Sequence, residues 1–468
     1  MSERLFTATE LARLCGAELF RAPGGGEKEI FSVVCDSREA RAGSLFVALK
    51  GERTDGRLYL NDAFSRGAAA CLIDKSFWEA KAGDLRGREA GGTFVIVNSP
   101  LAALHVLAAR HMESREALRI GITGSSGKTT TKEITGAILS QAAPSFINKG
   151  NLNSEIGLPL SVFGVKASDE FAVFEMGMNH EGEMDTLAGI VRPQAAVITN
   201  IGSAHIGILG SRRNIAAEKK KLFLALPPEG KAYVYEAEPF RAFLADDVAA
   251  EVLPFGETTT AGFQGADDAG LEGWDLRLDG GTVRFPLPGL HNLRNALAAI
   301  SLCKGLGVSA NAIRAGLSEA RPLFGRGEVL RGDITVLLDC YNANPESMEN
   351  ALAFVSSLEW KGRKIAVLGA MKELGEFSAE GHRNIGKLAA NSGLDALFFF
   401  GEEMEEAYRV PENGRFDGEL GFFTDFVALS KAVSSFAREG DLVLVKGSRA
   451  MALERLGETL VCAGGVHV

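Results

Sequence analysis

The stretch GITGSSGKTTT, residues 121–131, decides the fold of the central part of this chain. An apolar run, LRIGITG at 118–124, predicts a strand before it, and KTTTKEITGAIL predicts a helix that begins at Lys128. Backbone N–H groups in a glycine-rich turn at a helix N-terminus form a cradle for phosphate groups. The usual phosphate-loop pattern has glycine where this chain has Ile122, so the motif here reads T-G-x-x-G-K-T-T. The strand, turn and helix together predict a nucleotide phosphate site.

Each residue type in this loop has a physical role in that prediction. The Lys128 ammonium would neutralise the β- and γ-phosphates, and the Thr129 hydroxyl is a suitable ligand for Mg²⁺. The alternative is a glycine turn that carries a surface lysine, and the flanking strand and helix argue against it. The sequence therefore predicts an ATP-binding loop made of Gly124, Ser125, Ser126, Gly127, Lys128, Thr129 and Thr130.

Other short apolar runs end in glycine or polar residues, with helical patterns between them. These runs are residues 171–177, 195–202, 363–369, 394–401 and 441–447. Their alternation with helices predicts an α/β fold with mostly parallel sheets, in which ligands bind at the carboxyl ends of the strands. A chain of 468 residues is long enough for about three domains. We expect them at residues 1–100, 101–320 and 321–468, because a helix leads into the phosphate loop and a glycine-rich loop opens near residue 320.

Composition and charge exclude some classes of protein. The formal net charge is −10, which argues against broad nucleic-acid binding because that function needs a basic surface. No apolar run approaches the length of a membrane-spanning helix, and the N-terminus has no signal-peptide pattern, so we expect a cytoplasmic protein. The six cysteines form no C-x-x-C pair and are expected to be reduced thiols.

Three polar residues downstream of the loop are candidates for catalysis. Glu175 ends the apolar run FAVFE, where a carboxylate is either solvated or a magnesium ligand. His205 follows the next apolar run, although a lone histidine is more often a structural hydrogen-bonding group. Lys219 lies in IAAEKKKLFLAL, where the default interpretation is the solvated basic face of a helix. From these residues alone, the alternatives stay open.

Nine blocks of sequence, in order along nearly the whole chain, resemble the Mur ligases of peptidoglycan synthesis. Together they are far more specific than any single motif. The blocks with NLN, YNANP, MKELGEFS and VKGSRAM most resemble the branch of this family that adds D-alanyl-D-alanine to UDP-N-acetylmuramoyl-tripeptide. The nine blocks are residues 36–56, 123–133, 150–162, 175–184, 192–207, 289–299, 337–348, 369–386 and 443–454.

The resemblance implies an ATP-dependent, ADP-forming amide ligase that works through an acyl phosphate. It implies a small N-terminal α/β domain for the UDP-linked substrate, a central P-loop domain with a parallel sheet, and a Rossmann-like C-terminal domain. We also expect the domains to close, because Asp339 and Arg326 lie on a different domain from the phosphate loop, and closure would keep water away from the acyl phosphate. We expect a monomer that binds UDP-N-acetylmuramoyl-tripeptide and D-alanyl-D-alanine and has no nucleic-acid partner.

The family pattern assigns the catalytic and metal-binding roles to particular residues. Thr129, Glu175 and His205 would surround two Mg²⁺ ions, while Lys128 would bind the phosphates of ATP. Lys219 aligns with a lysine that is carbamylated in the family. A carbamate is an anionic oxygen ligand and therefore suits Mg²⁺.

The acidity of Lys219 depends on its neighbours. We expect Lys220 and Lys221 to lower its pKa by repulsion between like charges, which would favour the neutral amine that reacts with CO₂. Glu218 would act in the opposite direction.

The same resemblance implies the remaining contacts with substrates. ATP would be held by His291, Asn292 and Asn295 on the adenine side, and by Arg326 and Asp339 from the C-terminal domain, where Arg326 could also offset the charge of phosphoryl transfer. The UDP-linked and peptide substrates would contact Asp36, Ser37, Arg38, Asn151, Asn153, Tyr341, Asn342 and Asn344. The plainer alternatives are helix caps for the asparagines, an ordinary turn at Asp36 and a loop arginine at Arg326.

Two other interpretations remain. A sister ligase, such as a folate polyglutamate ligase or the Mur enzyme that adds diaminopimelate or lysine, would keep the ATP site and differ in its other pockets. A nucleotide-binding regulator without ligase activity is the alternative from a different class, and the intact set of candidate catalytic residues argues against it. Ala370 and Arg57 depart from the family pattern, which leaves the pocket for the amine substrate less defined than the ATP site.

Overall fold

The computed structural model describes residues 3–21, 26–51, 54–86, 92–414 and 416–462. The chain forms two compact units. One comprises Met1–Gly121, Ala143–Met178 and Gly182–Gln194, and the other comprises Ile122–Ala142, Asn179–Glu181 and Ala195–Val468. The domain limits that we expected near residues 100 and 320 stay predictions.

The N-terminal part of the chain alternates short strands with helices. Its elements are β1 (Phe6–Thr7), α1 (Ala8–Cys15), β2 (Glu18–Arg21), β3 (Glu29–Ile30), β4 (Ser32–Val34), β5 (Ser44–Val47), α2 (Leu60–Ser65), β6 (Ala68–Asp74), α3 (Lys75–Arg86), β7 (Thr93–Val97) and α4 (Pro100–Glu113). Five strands form a sheet of order β2-β7-β6-β5-β4, in which only β2 runs antiparallel. Strands β5 and β7 are buried at every position, as expected for parallel strands that are covered on both faces.

The central part carries the phosphate loop. Its elements are β8 (Leu118–Thr123), α5 (Lys128–Ser140), β9 (Ser145–Ile147), α6 (Gly157–Val162), β10 (Phe171–Glu175), α7 (Glu183–Val191), β11 (Ala195–Ile198), α8 (Ile206–Leu209), α9 (Arg212–Leu224), β12 (Lys231–Tyr235), α10 (Arg241–Ala245), β13 (Glu251–Phe255), β14 (Phe263–Asp268), β15 (Trp274–Leu278), β16 (Gly281–Phe285), α11 (Leu290–Gly305) and α12 (Ala310–Glu319). Strand β9 pairs in parallel with β10 in the first unit, and β11, β12 and β13 pair in parallel in the second. Strands β14, β15 and β16 form a separate antiparallel sheet.

Within the described residues, the C-terminal part alternates six strands with five helices. Its elements are β17 (Glu328–Leu330), β18 (Thr335–Asp339), α13 (Pro345–Ser357), β19 (Lys364–Gly369), α14 (Ser378–Ala390), β20 (Ala396–Phe400), α15 (Glu405–Asn413), β21 (Glu419–Phe423), α16 (Phe426–Phe436), β22 (Leu442–Lys446) and α17 (Glu454–Cys462). The sheet order is β17-β18-β22-β19-β20-β21, with only β17 antiparallel. Helices α13, α14 and α15 pack on one face, and α16 and α17 pack on the other. This arrangement confirms the predicted α/β class and the Rossmann-like character of the C-terminal part.

Two other expectations can be checked in the described part of the chain. None of its helices is both long and apolar enough to cross a lipid bilayer. Five of the six cysteines are free thiols, and the side chain of Cys462 lies outside the described residues.

Candidate active site

The phosphate loop connects β8 to α5, as the sequence predicts. Gly127 has a φ of 77°, a left-handed conformation that L-residues disfavour, and a Cβ there would lie 2.3 Å from Asn295 Oδ1. A Cβ at Gly124 would lie 1.8 Å from Thr199 Oγ1. Both positions therefore require glycine, and the loop is packed directly against residues that are distant in the sequence.

Two residues that follow β11 hold the loop in place. The Thr199 hydroxyl donates to Ser126 O (2.6 Å), and the Ser126 N–H donates to Asn200 Oδ1 (3.1 Å). The Asn200 amide donates to Ser126 O (3.1 Å), and the Gly202 N–H donates to Ser125 Oγ (2.8 Å). Sequence reasoning missed Thr199 and Asn200, although polar residues directly after a parallel strand are a recognised signal of a ligand site.

Asn295 of α11 packs against the loop, and Asn292 lies next to Asn295 on the same helix. Asn295 Oδ1 accepts a hydrogen bond from Thr131 Oγ1 (3.3 Å), and Asn292 Nδ2 donates to Pro288 O (2.8 Å). Both asparagines are buried. On the same helix, burial is the main cause that lowers the pKa of His291. The structure therefore places Asn295 against the loop, with Asn292 next to it because Asn295 Nδ2 donates to Asn292 Oδ1 (3.3 Å). Contact of these residues and His291 with adenine stays a prediction.

Lys128 and Lys219 occupy contrasting environments in the same unit. Lys128 Nζ donates to the carbonyl oxygen of Gly124 in its own loop (2.8 Å). Lys219 is only 1% exposed, so the interpretation of a solvated basic face is wrong. Burial lowers the pKa of Lys219 well below its ordinary value, the charge of Lys128 lowers it further, and Glu218 opposes the shift. The neutral amine is the form that reacts with CO₂.

The predicted cause of this pKa shift was wrong in part. We expected repulsion from Lys220 and Lys221, but the shift of Lys219 comes from burial and from Lys128. Lys221 instead forms an ion pair with Glu218 over 2.7 Å, one helical turn away. Consecutive residues on a helix point in directions about 100° apart, so neighbours in sequence do not face each other.

His205 lies in a strained segment that contacts the C-terminal part of the same unit. His205 and Glu373 both have positive φ values, 66° and 71°. His205 Nδ1 lies 3.0 Å from Glu373 Oε2, and the Gly207 N–H donates to Glu373 O (3.2 Å). The contact with His205 is the main cause that holds the pKa of Glu373 below its usual range, and Lys128 also contributes. Left-handed residues of this kind cluster at functional sites.

A second contact ties the start of α13 to the same loop. Ser203 donates from its N–H to Glu346 Oε1 (2.8 Å) and from its hydroxyl to Oε2 (2.9 Å). Asn344, a predicted substrate residue, caps α13 by accepting from the Ser347 N–H, and its amide lies 3.4 Å from Ser125 O. The structure thus gives Asn344 a helix-capping role and a place beside the phosphate loop.

A cavity of about 190 Å³ lies beside α5. Its walls include Thr130, Ile134, Leu287, Pro322, Leu323 and Arg326. The cavity therefore joins the end of the phosphate loop to Arg326, which the sequence predicts to contact ATP. Its mixture of apolar walls and a few polar groups is typical of small-ligand sites.

Asp339 and Tyr341 lie at the end of β18. Lys446, which is 1% exposed, donates to Asp339 Oδ2 (2.6 Å) from the neighbouring strand β22. The Arg326 guanidinium stacks 3.8 Å above the Tyr341 ring. Asn342 is exposed, and its Oδ1 accepts from the Ala343 N–H (2.9 Å). Sequence reasoning missed Lys446, because only the pairing of the two strands brings it to Asp339.

In the first unit, Glu175 ends β10 as predicted and is only 2% exposed. Its Oε1 accepts from Asn153 Nδ2 (2.7 Å), and its N–H donates to Asn148 Oδ1 (2.8 Å). Within the described residues, Glu175 Oε2 is buried without a hydrogen-bond partner. Asn151 is exposed and accepts through its carbonyl from the Asn153 N–H (2.8 Å). A buried carboxylate oxygen without a partner is the feature expected of a group that receives a ligand.

Asp36, Ser37 and Arg38 form an exposed turn in the first unit. Asp36 accepts from the Arg38 N–H (2.9 Å) and forms an ion pair with its guanidinium (2.5 Å). Hydrogen bonds from Arg38 lower the pKa of Asp36 to about 2. The Arg38 side chain is 81% exposed, while Ser37 is buried. The ordinary turn that we considered as the alternative is present, and a role in substrate binding stays a prediction.

The donors of this chain suit a magnesium ion that phosphates help to hold. In the described part of the chain, no three His, Cys, Asp or Glu side chains cluster as a metal site of their own. Magnesium sites beside nucleotides need only one or two protein ligands, because phosphate oxygens and water supply the rest. In the first unit, the unpartnered Glu175 Oε2 is an oxygen donor of this kind, and magnesium ligation by Thr129 and His205 stays a prediction.

The strand, glycine loop and buried lysines define an α/β protein of the P-loop nucleotide-binding class. The chain belongs to the Mur ligase family. It matches the Mur ligase family catalytic domain over residues 29–112, the Mur ligase middle domain over 122–303, and the Mur ligase glutamate ligase domain over 325–449.

Named relatives resemble the chain over almost its whole length. The UDP-N-acetylmuramoyl-tripeptide–D-alanyl-D-alanine ligase of Treponema pallidum is 40% identical over 97% of both chains. A crystal structure of MurF from Acinetobacter baumannii has a TM-score of 0.86 and 30% identity, covering 97% of this chain and 98% of that one. MurF ligase from Thermotoga maritima in complex with ADP has a TM-score of 0.79 and 28% identity, covering 92% and 96%.

Proposed function

We propose that this chain is an ATP-dependent ligase that joins D-alanyl-D-alanine to UDP-N-acetylmuramoyl-tripeptide and releases ADP and phosphate. The observation that carries the proposal is the 40% identity with a ligase of this name over 97% of the chain. The packed phosphate loop supports the use of ATP, because its backbone N–H groups lie at the N-terminus of α5. The ADP complex of the Thermotoga maritima relative supports the same site.

ATP would bind along the phosphate loop and into the cavity beside α5. The phosphates would lie over Gly124–Lys128, and Lys128 Nζ would move from the Gly124 carbonyl to the β- and γ-phosphates. Part of the nucleotide would enter the cavity between Thr130 and Arg326. The base would lie near Asn292 and Asn295, as the family resemblance implies, and the ribose would approach Asp339.

The reaction would proceed in two steps. The terminal carboxylate of the tripeptide attacks the γ-phosphorus, the bond to the β-γ bridging oxygen breaks, and ADP leaves. Lys128 and Arg326 would offset the charge of this largely dissociative transfer. The amine of D-alanyl-D-alanine then attacks the carbonyl carbon of the acyl phosphate, loses a proton and expels phosphate. The protein mainly positions the reacting groups and keeps water away.

Magnesium would neutralise the charge that develops on the phosphate oxygens. Thr129, His205 and Glu175 would hold it, together with a carbamate on Lys219. The neutral Lys219 amine would attack CO₂ and lose one proton, which yields an anionic oxygen donor. Support for carbamylation comes from the lowered pKa of this buried lysine, because only the neutral amine reacts.

We further propose a cytoplasmic monomer with three domains that close over the nucleotide. ATP and UDP-linked substrates are cytoplasmic compounds, which supports this location. Closure is supported by the need to exclude water from an acyl phosphate. Small-angle scattering should show compaction when nucleotide and both substrates are added, and unchanged scattering would count against closure.

The test is phosphate release with ATP, Mg²⁺, UDP-N-acetylmuramoyl-tripeptide and D-alanyl-D-alanine, with each component omitted in turn. We expect release to need all four, and mass spectrometry should find a product heavier by one dipeptide residue. Release with diaminopimelate or lysine and the shorter UDP-linked dipeptide would assign the chain to the sister ligase instead. Nucleotide binding without release under any combination would support a regulator.

A further inference from the structure

The carboxyl ends of β18, β22 and β19 meet at a topological switch point. Strand β22 lies between β18 and β19. After β18 and β19 the chain continues into α13 and α14, which pack on one face of the sheet. After β22 it continues into α17, which packs on the other face. In open α/β sheets, ligands bind in the crevice that such opposed departures create. The residues that follow β18 and β22 are therefore candidates for a binding site, and VKGSRAM at 445–451 had no assigned role.

Two arginines converge on one aromatic ring at this point. The Arg326 guanidinium stacks on Tyr341 at 3.8 Å, and the Arg449 guanidinium lies 5.9 Å from the centre of the same ring. Arg449 also lies 5.7 Å from the centre of the Phe324 ring, which is half exposed. A guanidinium that rests on an aromatic face keeps its in-plane N–H groups available for a ligand.

Backbone contacts hold both arginines in place. The Tyr341 N–H donates to Gly325 O (2.9 Å), which fixes the loop of Arg326 against the end of β18. Next to Arg449, the Ser448 N–H donates to Ala370 O (3.1 Å) and Ser448 Oγ accepts from the Lys372 N–H (2.9 Å). The Arg449 backbone is thus anchored to the end of β19, while its side chain is 55% exposed.

Three of the four basic side chains at this point have an acidic partner. Lys446 is neutralised by Asp339 and Lys372 by Glu403. Arg449 forms one ion pair, with Glu454 Oε1 at 3.0 Å.

Beside the Gly325 N–H, which donates to Glu328 Oε2 (3.4 Å), Arg326 is the fourth basic side chain at this point. It forms no ion pair with any carboxylate in the described part of the chain. Arg449 has one acidic partner, Glu454, and guanidinium forks bind carboxylate or phosphate groups with two parallel hydrogen bonds.

The two arginines face different parts of the proposed reaction. Arg326 lines the cavity that begins at Thr130 of the phosphate loop, so it lies on the nucleotide side. Arg449 is not among the residues that line that cavity, and its half-exposed side chain lies beside Phe324. In the proposed function, the incoming dipeptide carries a free carboxylate that takes no part in the chemistry and is available for recognition.

We propose that Arg449, with Tyr341 and Phe324 beside it, binds the free carboxylate of the incoming dipeptide. This inference rests on the proposed ligase function and adds a specificity site to it. Anchoring the carboxylate at Arg449 would direct the dipeptide amine toward the acyl phosphate beside Arg326. It would also select amine substrates in which the carboxylate is as far from the amine as it is in D-alanyl-D-alanine.

The experiment pairs an enzyme variant with a substrate analogue. Steady-state rates are measured with D-alanyl-D-alanine and with D-alanyl-D-alaninamide, which lacks the carboxylate, for the full-length wild type, Arg449→Gln and Arg449→Lys. The matched control is Arg455→Gln, because Arg455 also stacks on an aromatic ring, Phe426 at 3.9 Å, but lies away from Tyr341. KM for ATP and for the UDP-linked tripeptide is measured in parallel.

We expect wild type to prefer the acid over the amide by about 10- to 100-fold in kcat/KM, as for one charge-assisted hydrogen-bonded contact. Arg449→Gln should lose that preference, raising KM for the dipeptide while KM for ATP stays unchanged, and Arg449→Lys should retain part of it. Arg455→Gln should behave as wild type.

Three results would overturn the inference. The first is an equal preference for the acid in Arg449→Gln and wild type. The second is an effect of Arg449→Gln on KM for ATP alone, which would indicate a phosphate contact. The third is a wild type that shows no preference for the acid over the amide. The last result is decisive even if the variants fail to fold. A wild type that uses neither amine would instead refute the proposed function.

Discussion

The phosphate loop and the Asp36–Arg38 turn are both predicted nucleotide-binding segments, and they are built in opposite ways. The loop is surrounded by residues far away in sequence, with Thr199 against Gly124 and Asn295 against Gly127. The turn is held by Asp36 and Arg38 themselves, two residues apart, and the arginine is exposed. A change in the loop should therefore disturb both folding and binding, whereas a change in the turn should disturb binding alone.

The largest expected effect is that of Lys128→Ala in the loop. Loss of a positioned charge in phosphoryl transfer costs about 10³-fold in rate, so phosphate release should nearly vanish. Lys361→Ala, at an exposed position in the same unit, is the matched control and should keep full activity. Substantial activity in Lys128→Ala would show that the loop does not bind the transferred phosphate.

Lys219→Met tests a buried lysine of the same unit. We expect an activity loss of about 10²-fold, as for a residue that supports a metal site. In CO₂-free buffer at neutral pH, Lys219→Met should also have a higher free energy of unfolding than wild type. The reason is that the substitution removes an amine that is costly to bury. Addition of bicarbonate should raise the activity of wild type and leave the variant unchanged.

The pH dependence of that stability difference has a definite sign. The folded pKa of Lys219 is lowered, so between that value and the ordinary 10.5 the unfolded chain binds more protons than the folded chain. The free energy of unfolding of wild type therefore rises with pH because of this group. The excess in unfolding free energy of Lys219→Met over wild type should shrink as pH approaches 10.5. Denaturant unfolding at several pH values measures it, and an advantage that grows with pH would contradict the buried, neutral amine.

A comparison of Gly127→Ala with Gly307→Ala separates the cost of a steric clash from the cost of a positive φ. Gly127 and Gly307 have similar φ values, 77° and 80°, but a Cβ at Gly307 would meet nothing within 4 Å. Gly307→Ala should cost about 1 kcal/mol of unfolding free energy from φ alone, and Gly127→Ala should cost about 1–3 kcal/mol more because of Asn295. Only Gly127→Ala should weaken ADP binding in calorimetry. Equal costs would mean that the loop is not packed as described.

The smallest effect is expected for Arg38→Ala in the exposed turn. The free energy of unfolding should change by less than about 0.5 kcal/mol, because the ion pair of Arg38 is on the surface. KM for the UDP-linked substrate should rise by about 3- to 10-fold if the guanidinium contacts it, with KM for ATP unchanged. Arg13→Ala, an exposed arginine in the same unit, is the control. An unchanged KM for every substrate would remove Arg38 from the site.

The phosphate loop could be predicted from sequence because its strand, turn and helix are contiguous. Glu346 and Lys446 could not, since only strand pairing and tertiary contacts bring them to the residues that they support, and no local pattern marks them. Thr199 and Asn200 carry a partial signal, because they are polar residues directly after a strand, but their contacts with the loop are tertiary.

Lys219 shows a different limit of sequence reasoning. Its sequence neighbours suggested a solvated face and a pKa set by Lys220 and Lys221. The fold buries it and places Lys128 among the causes of its shift, which sequence spacing does not reveal. Its proposed role came from the resemblance to a family, and the pKa shift gives that role a physical basis.

The most direct test of the ligase mechanism follows oxygen atoms from substrate to phosphate. The terminal carboxylate of the UDP-linked tripeptide is labelled with ¹⁸O, and the phosphate released with ATP and D-alanyl-D-alanine is analysed by mass spectrometry. An acyl phosphate requires one labelled carboxylate oxygen to leave with each phosphate. Unlabelled phosphate, released at the rate of amide formation, would contradict attack of the carboxylate on the γ-phosphate and with it the proposed mechanism.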